Sequence, residues 1–132
     1  MEFVKLKVLM EKGVIQMASG IAVGKGNVAE IATYLEEGLV GLHTEKVYAN
    51  ESQIGNEQVI LQVYERYYHR NKQRATLTVL ISGKNDDVRV EAVGAGGGGG
   101  LFMRITLGAN NDFAFRVGDL LRVRDFEITS YS

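Results

Sequence analysis

The stretch from Gln58 to Leu107, QVILQVYERYYHRNKQRATLTVLISGKNDDVRVEAVGAGGGGGLFMRITL, decides the fold. Apolar and polar residues alternate along most of it, the period of strands with one buried face. The pattern predicts strands at 58–69, 74–82, 87–94 and 101–107. They are linked by Asn71–Gln73, by Gly83–Asp86 and by a glycine loop at residues 94–100. Links this short join neighbouring strands in antiparallel pairs.

Each turn length implies a register, and each register can be checked against the apolar pattern. A three-residue loop at Asn71–Gln73 sets Val63 opposite Ile81 and Tyr67 opposite Leu77. A four-residue loop at Gly83–Asp86 sets Ile81 opposite Val88 and Val79 opposite Val90. The glycine loop then sets Ala92 opposite Met103, Val90 opposite Ile105 and Glu91 opposite Arg104, the last a cross-strand ion pair. One face is almost wholly apolar in this arrangement, with Glu65 the odd residue on it. The other is mixed and aromatic-bearing, with Tyr64, Arg66, Tyr68, Thr76, Thr78, Leu80, Arg89, Glu91, Val93, Phe102, Arg104 and Thr106.

Outward from this sheet the signals are more local. Val4, Leu6, Val8 and Met10 alternate with Lys5 and Lys7, which predicts a strand over 3–10. Residues 11–26 carry glycines at 13, 20, 24 and 26 and give no regular pattern beyond a helical turn around Val14–Ser19. Asn27 reads as an N-cap, with Val28, Ile31, Ala32, Leu35 and Leu39 at helical spacing, so 28–38 is predicted helical and ended by Gly38 or Gly41. Residues 42–54 read as a short strand followed by a polar turn. A second helix over 112–123, capped by Asn110 or Asn111, has Phe113, Val117, Leu120 and Leu121 as its stripe, and 125–132 forms a last strand or a tail. The expectation is one domain, residues 1–132, of the α+β class. It is a two-layer fold with an antiparallel sheet of four to six strands and two helices packed on one face.

Composition narrows the function classes. The chain has 132 residues, 45% apolar and 23% charged, with net charge −1. These are globular proportions, with no global field to attract nucleic acid or an anionic membrane. There is no cysteine and no proline, which excludes disulfides, thiolate metal sites and thiol nucleophiles. No apolar run approaches the roughly 20 residues of a membrane span. A cytoplasmic protein is expected.

Four features invite a chemical reading. The glycine loop resembles a phosphate cradle, but a strand follows it rather than a helix, and no Lys-Ser or Lys-Thr comes after it. Gly24-Lys25-Gly26-Asn27 precedes the first helix, where free N–H groups plus Lys25 could hold an anion, but a loop followed by an ordinary cap is the favoured reading. Tyr64 to Arg74 mixes aromatic and basic residues, as single-stranded nucleic acid binding does. Buried on an apolar face, Glu65 would have the raised pKa of a general acid or base. His43 and His69 are the only histidines, too few for a metal site without further ligands. No Gly-x-Ser-x-Gly elbow is present.

Two stretches, Tyr64-Glu65-Arg66-Tyr67-Tyr68-His69-Arg70-Asn71 running into Arg74–Val79, and Ala92-Val93-Gly94-Ala95-Gly96-Gly97 followed by Gly100-Leu101-Phe102, carry a resemblance. They resemble a family of small bacterial proteins classed as a domain of unknown function, over residues 57–121. The resemblance implies a bacterial, cytoplasmic protein and no particular activity. The leading functional reading is a non-enzymatic binding or assembly module, homodimeric through the second sheet face. The alternative is a small enzyme or anion-binding protein using the glycine loop, with Gly96, Gly97, Gly98, Tyr64, Arg66, Tyr68 and Arg104 as ligand-binding residues. The third is nucleic acid binding through the hairpin 64–74. No cofactor, metal or membrane is expected.

Overall fold

The computed structural model describes residues 17–41, 43–69, 72–96 and 116–131. Its elements are β1 (Met17–Lys25), α1 (Val28–Leu39), β2 (Thr44–Ile54), β3 (Glu57–Tyr68), β4 (Gln73–Lys84), β5 (Asp87–Gly96), α2 (116–123) and β6 (Glu127–Tyr131). The six strands form one antiparallel sheet in the order β2-β3-β4-β5-β1-β6. Both helices contribute to a single core on one face. Ile31 and Leu35 of α1, and Val117 and Leu121 of α2, are buried with Leu77, Val79, Ile81 and Val90 of the sheet. The α+β class is as the sequence predicts.

The register differs from the expected one at each turn. The β3–β4 loop has four residues, so Tyr68 pairs with Gln73, Tyr64 with Leu77 and Ile60 with Ile81. Val63 therefore faces Thr78 rather than Ile81, and Tyr67 faces Arg74 rather than Leu77. The slip is odd, and an odd slip turns a strand over. Ile60, Gln62 and Tyr64 of β3 point into the core, while Val59, Leu61, Val63, Glu65 and Tyr67 lie on the other face. The β4–β5 turn is only Asn85-Asp86, with Asn85 at φ 59°. Asparagine tolerates that left-handed conformation. Ile81 thus pairs with Val90 and Val79 with Ala92, instead of Val88 and Val90. This even slip keeps the predicted face.

The largest difference concerns β5. Its second neighbour is β1, with Ile21 opposite Glu91 and Ala22 opposite Val90. The strand expected at 101–107 lies outside the described residues, and the place it was to fill beside β5 is taken. The pairings of Ala92 with Met103, Val90 with Ile105 and Glu91 with Arg104 are replaced accordingly. Residues 17–25 are thus a strand, not the end of a helical turn, and 44–54 is one long strand rather than a short one followed by a turn. The strand predicted at 3–10 also lies outside the described residues.

The layers meet closely. Asn27 caps α1 as predicted, its side chain accepting from the Glu30 N–H at 3.1 Å. Gly38 is not the stop: α1 runs through it to Leu39, and a Cβ there would come within 2.7 Å of Leu120. A Cβ on Gly24 would lie 2.5 Å from the Phe126 ring. The helices are clamped by the Tyr34 hydroxyl donating to the Leu120 carbonyl at 2.6 Å and by a two-pronged Arg124–Glu30 pair at 2.8 Å.

Two outcomes test this packing. Gly24→Ala is expected to lower stability in urea by about 1–3 kcal/mol, because Phe126 must move off the sheet. The hydrogen bond from Arg124 holds the Glu30 carboxyl below its ordinary 4.5. A depressed carboxyl pKa adds stability above the unfolded-state value, and this is lost as pH falls through the folded value. Glu30→Gln should therefore lower the melting temperature at pH 7. The gap to the parent should close as pH drops below 4.5.

Candidate functional site

The sheet has two faces of different character, and the predicted site residues are divided between them. Tyr64 is fully buried on the helix side. Its hydroxyl donates to Gln62 Oε1 at 2.7 Å, and Gln62 Nε2 donates to the Ala32 carbonyl of α1 at 3.3 Å. Burial, with Glu36 nearby, pushes the Tyr64 phenol well above its ordinary range, so it stays neutral. This polar chain joins sheet to helix and offers no group to a ligand. Arg66 lies on the same side, its guanidinium 5.1 Å from the Tyr68 ring centroid, and Tyr68 packs against the core. Tyr64, Arg66 and Tyr68 were expected on the second face; the odd register slip moves all three off it. Gly96 ends β5 at φ 105°, where a Cβ would meet the Arg74 carbonyl at 2.6 Å. Its glycine is required by close backbone approach. Gly97, Gly98 and Arg104 lie outside the described residues.

Glu65 is on the open face, not in the core. Arg74 Nη1 donates to it at 3.1 Å, and the same guanidinium stands 5.4 Å from the Tyr67 centroid. His69 contacts Tyr67 edge-on at 4.7 Å and His43 at 4.6 Å. Among the described residues of the β3–β4 hairpin, Arg66 is thus engaged with Tyr68, and Arg74 and His69 with Tyr67. Among the described residues, no three His, Asp or Glu side chains converge as a metal site would require.

The open face carries what the sequence reading missed. Reading across β3, β4, β5 and β1, the pairings align Leu61, Leu80, Glu91 and Ile21 in one row, and Val63, Thr78, Val93 and Ser19 in the next. On the other side of the first row lie Val59, Ser82, Arg89 and Val23. The aliphatic members are half-buried, except Val23, which is 38% exposed. Beside Val63 on β2 sits Tyr48, 50% exposed. At the turn end a fourth row carries Glu57, Lys84, Asp87 and Lys25, one charge per strand in alternating sign. Lys84 pairs with Asp87 and Asp87 with Lys25, while Glu57 continues the β3–β4 register opposite Lys84. These four side chains, with Val23, Ser82 and Arg89, line a shallow depression of about 420 Å³. Lys25 Nζ donates to Asp87, a bond that raises its pKa. The expected four-residue loop had placed Lys84 in a turn and so hid this row.

Fold and surface together define a two-layer α+β sheet protein whose second sheet face carries an aliphatic band that neither described helix covers. The chain belongs to the family described as Family of unknown function (DUF6054), whose model matches residues 17–123. No curated protein matches it. No helix among the described residues is long and apolar enough to cross a membrane.

The Tyr64–Gln62 chain should matter for stability alone. Tyr64→Phe leaves Gln62 Oε1 without its donor and is expected to cost about 1–2 kcal/mol in urea unfolding. Solution molecular mass should not change.

Proposed function

We propose that the protein is a non-enzymatic assembly module that self-associates through the open face of its sheet. The observation that carries this reading is the aliphatic band of Ile21, Val59, Leu61, Val63, Leu80 and Val93 on the face opposite both helices. Apolar surface of this kind, rimmed by polar residues, is characteristic of contact surfaces. Here charges bound the band with Glu65–Arg74 at one end and with the row Glu57, Lys84, Asp87 and Lys25 at the other, while the Arg89–Glu91 pair lies within it. Six strands at about 4.8 Å spacing and about nine residues at 3.3 Å give a face of roughly 850 Å², near the ~800 Å² per partner of a standard interface.

The sheet edge is a poorer candidate. β2 is exposed along nearly its whole length, but it carries Glu45, Lys46 and Glu51 and has a register irregularity between Lys46 and Tyr48. Charges and bulges are what discourage strand addition at an edge. The face supports association better than catalysis. On it Lys25, Glu65, Arg74, Asp87, Arg89 and Glu91 are salt-bridged, and the described histidines contact aromatic neighbours. A bacterial, cytoplasmic setting fits the resemblance read from the sequence.

Light scattering coupled to size exclusion is expected to show a dimer that dissociates on dilution. Leu80→Glu would place an unpaired charge in the band. It should weaken association about 100-fold or more while far-UV circular dichroism stays unchanged. A parent protein that remains monomeric at high concentration would rule the reading out.

A further inference from the structure

We infer that the row Glu57, Lys84, Asp87 and Lys25 sets the geometry of this assembly. It selects a second copy of the chain docked face to face about a two-fold axis parallel to the strands. The inference rests on the open-face reading above and goes beyond it by naming the orientation and the residues that impose it.

The reasoning is one of symmetry. An axis lying between two stacked sheets and running along the strands keeps position along a strand and reverses the order of strands. The turn-end row of one copy then lies over the turn-end row of the other, read backwards. A row of four charges alternating in sign is complementary to its own reversal. Glu57 meets the second copy's Lys25 position, and Lys84 meets its Asp87 position, each contact occurring twice. An axis across the strands would instead bring this row to the opposite end of the face. There Glu45 and Glu65 stand opposite each other on β2 and β3.

The neighbouring rows fit the same axis, which passes between β4 and β5. Val59 falls over Val23 and Leu61 over Ile21, so apolar meets apolar. Ser82 falls over Arg89, a hydroxyl over a guanidinium. Leu80 falls over Glu91, whose carboxylate is drawn to Arg89 of its own strand at 3.5 Å. Sheets stacked with strands nearly aligned, within about 30°, form a common packing class. Both helical layers stay outside, so nothing described obstructs the contact. Within one copy, Lys25 is paired with Asp87 and Asp86, while among the described residues Lys84 and Glu57 take part in no ion pair. Two of the four charges are therefore available to a partner.

A charge-exchange series measured by sedimentation equilibrium tests this. Lys84→Glu and Asp87→Lys should each weaken the dimer about tenfold or more, since each creates two like-charge contacts across the axis. The double exchange Lys84→Glu with Asp87→Lys should restore the parent affinity. Its row reads minus, minus, plus, plus, which is again complementary to its reversal. Inside one copy, the same double exchange puts a second carboxylate beside Glu57 and a second ammonium beside Lys25, and so worsens the local charge order. Restoration can only come from contact between copies.

A dimer that ignores the single exchanges, or a double exchange weaker than either single, would overturn the inference and leave the open-face reading standing. A monomeric parent would overturn both.

Discussion

The length of one turn governs most of what this molecule presents to its surroundings. Four residues, rather than three, join β3 to β4, and the pairing of Tyr68 with Gln73 follows. Side chains on a strand alternate, so the parity of that register decides which set of β3 residues enters the core. With Ile60, Gln62 and Tyr64 inside, the helix side gains a fully buried phenol and a buried amide. The opposite side gains Val59, Leu61 and Val63. The aliphatic band on the open face exists because β3 is turned this way.

Burying Tyr64 and Gln62 brings two polar side chains into a mainly apolar layer, which is tolerable only if their groups are bonded. The pair meets that condition together: Tyr64 donates to Gln62, and Gln62 donates to the backbone of α1 at Ala32. The same bonds fix where α1 lies along the sheet. Glycines complete the fit, with Gly24 beneath Phe126, Gly83 beneath Val28 and Gly38 against Leu120. At each of these, a methyl group would stand where a neighbouring side chain now packs. Arg124, over the Tyr34 ring at 3.9 Å and paired with Glu30, ties the end of α2 to the start of α1.

The contrast between the faces gives the functional reading its physical basis. On one side, apolar surface is covered by two helices and polar groups are paired. On the other, an aliphatic band remains, bounded at the turn end by charges whose order across the strands alternates in sign. Apolar area supplies the drive to associate, and charge order at a rim supplies direction more than affinity. A sheet face can therefore be generic in its hydrophobicity and still admit one orientation of a partner.

Periodicity alone was enough to establish strands across 58–94, because alternation is local and strong there, and the capping of α1 by Asn27, because an N-cap involves only four residues. The apolar face of β4 and β5 was equally legible, since an even error in the Asn85-Asp86 turn leaves the faces unchanged. The face of β3 was not, because both of its alternating sets contain apolar residues: Val59, Leu61 and Val63 on one, Ile60 and Tyr64 on the other. Alternation cannot choose between them, so the choice fell to an exact turn length. The partnership of β1 with β5 was beyond local reading for a different reason. It joins residues about 70 positions apart, and no spacing along a chain encodes a contact at that separation. The Glu57–Lys84–Asp87–Lys25 row combines both obstacles: a two-residue turn without glycine and a distant strand. Its four charges are plain in the sequence, but only the tertiary structure sets them side by side.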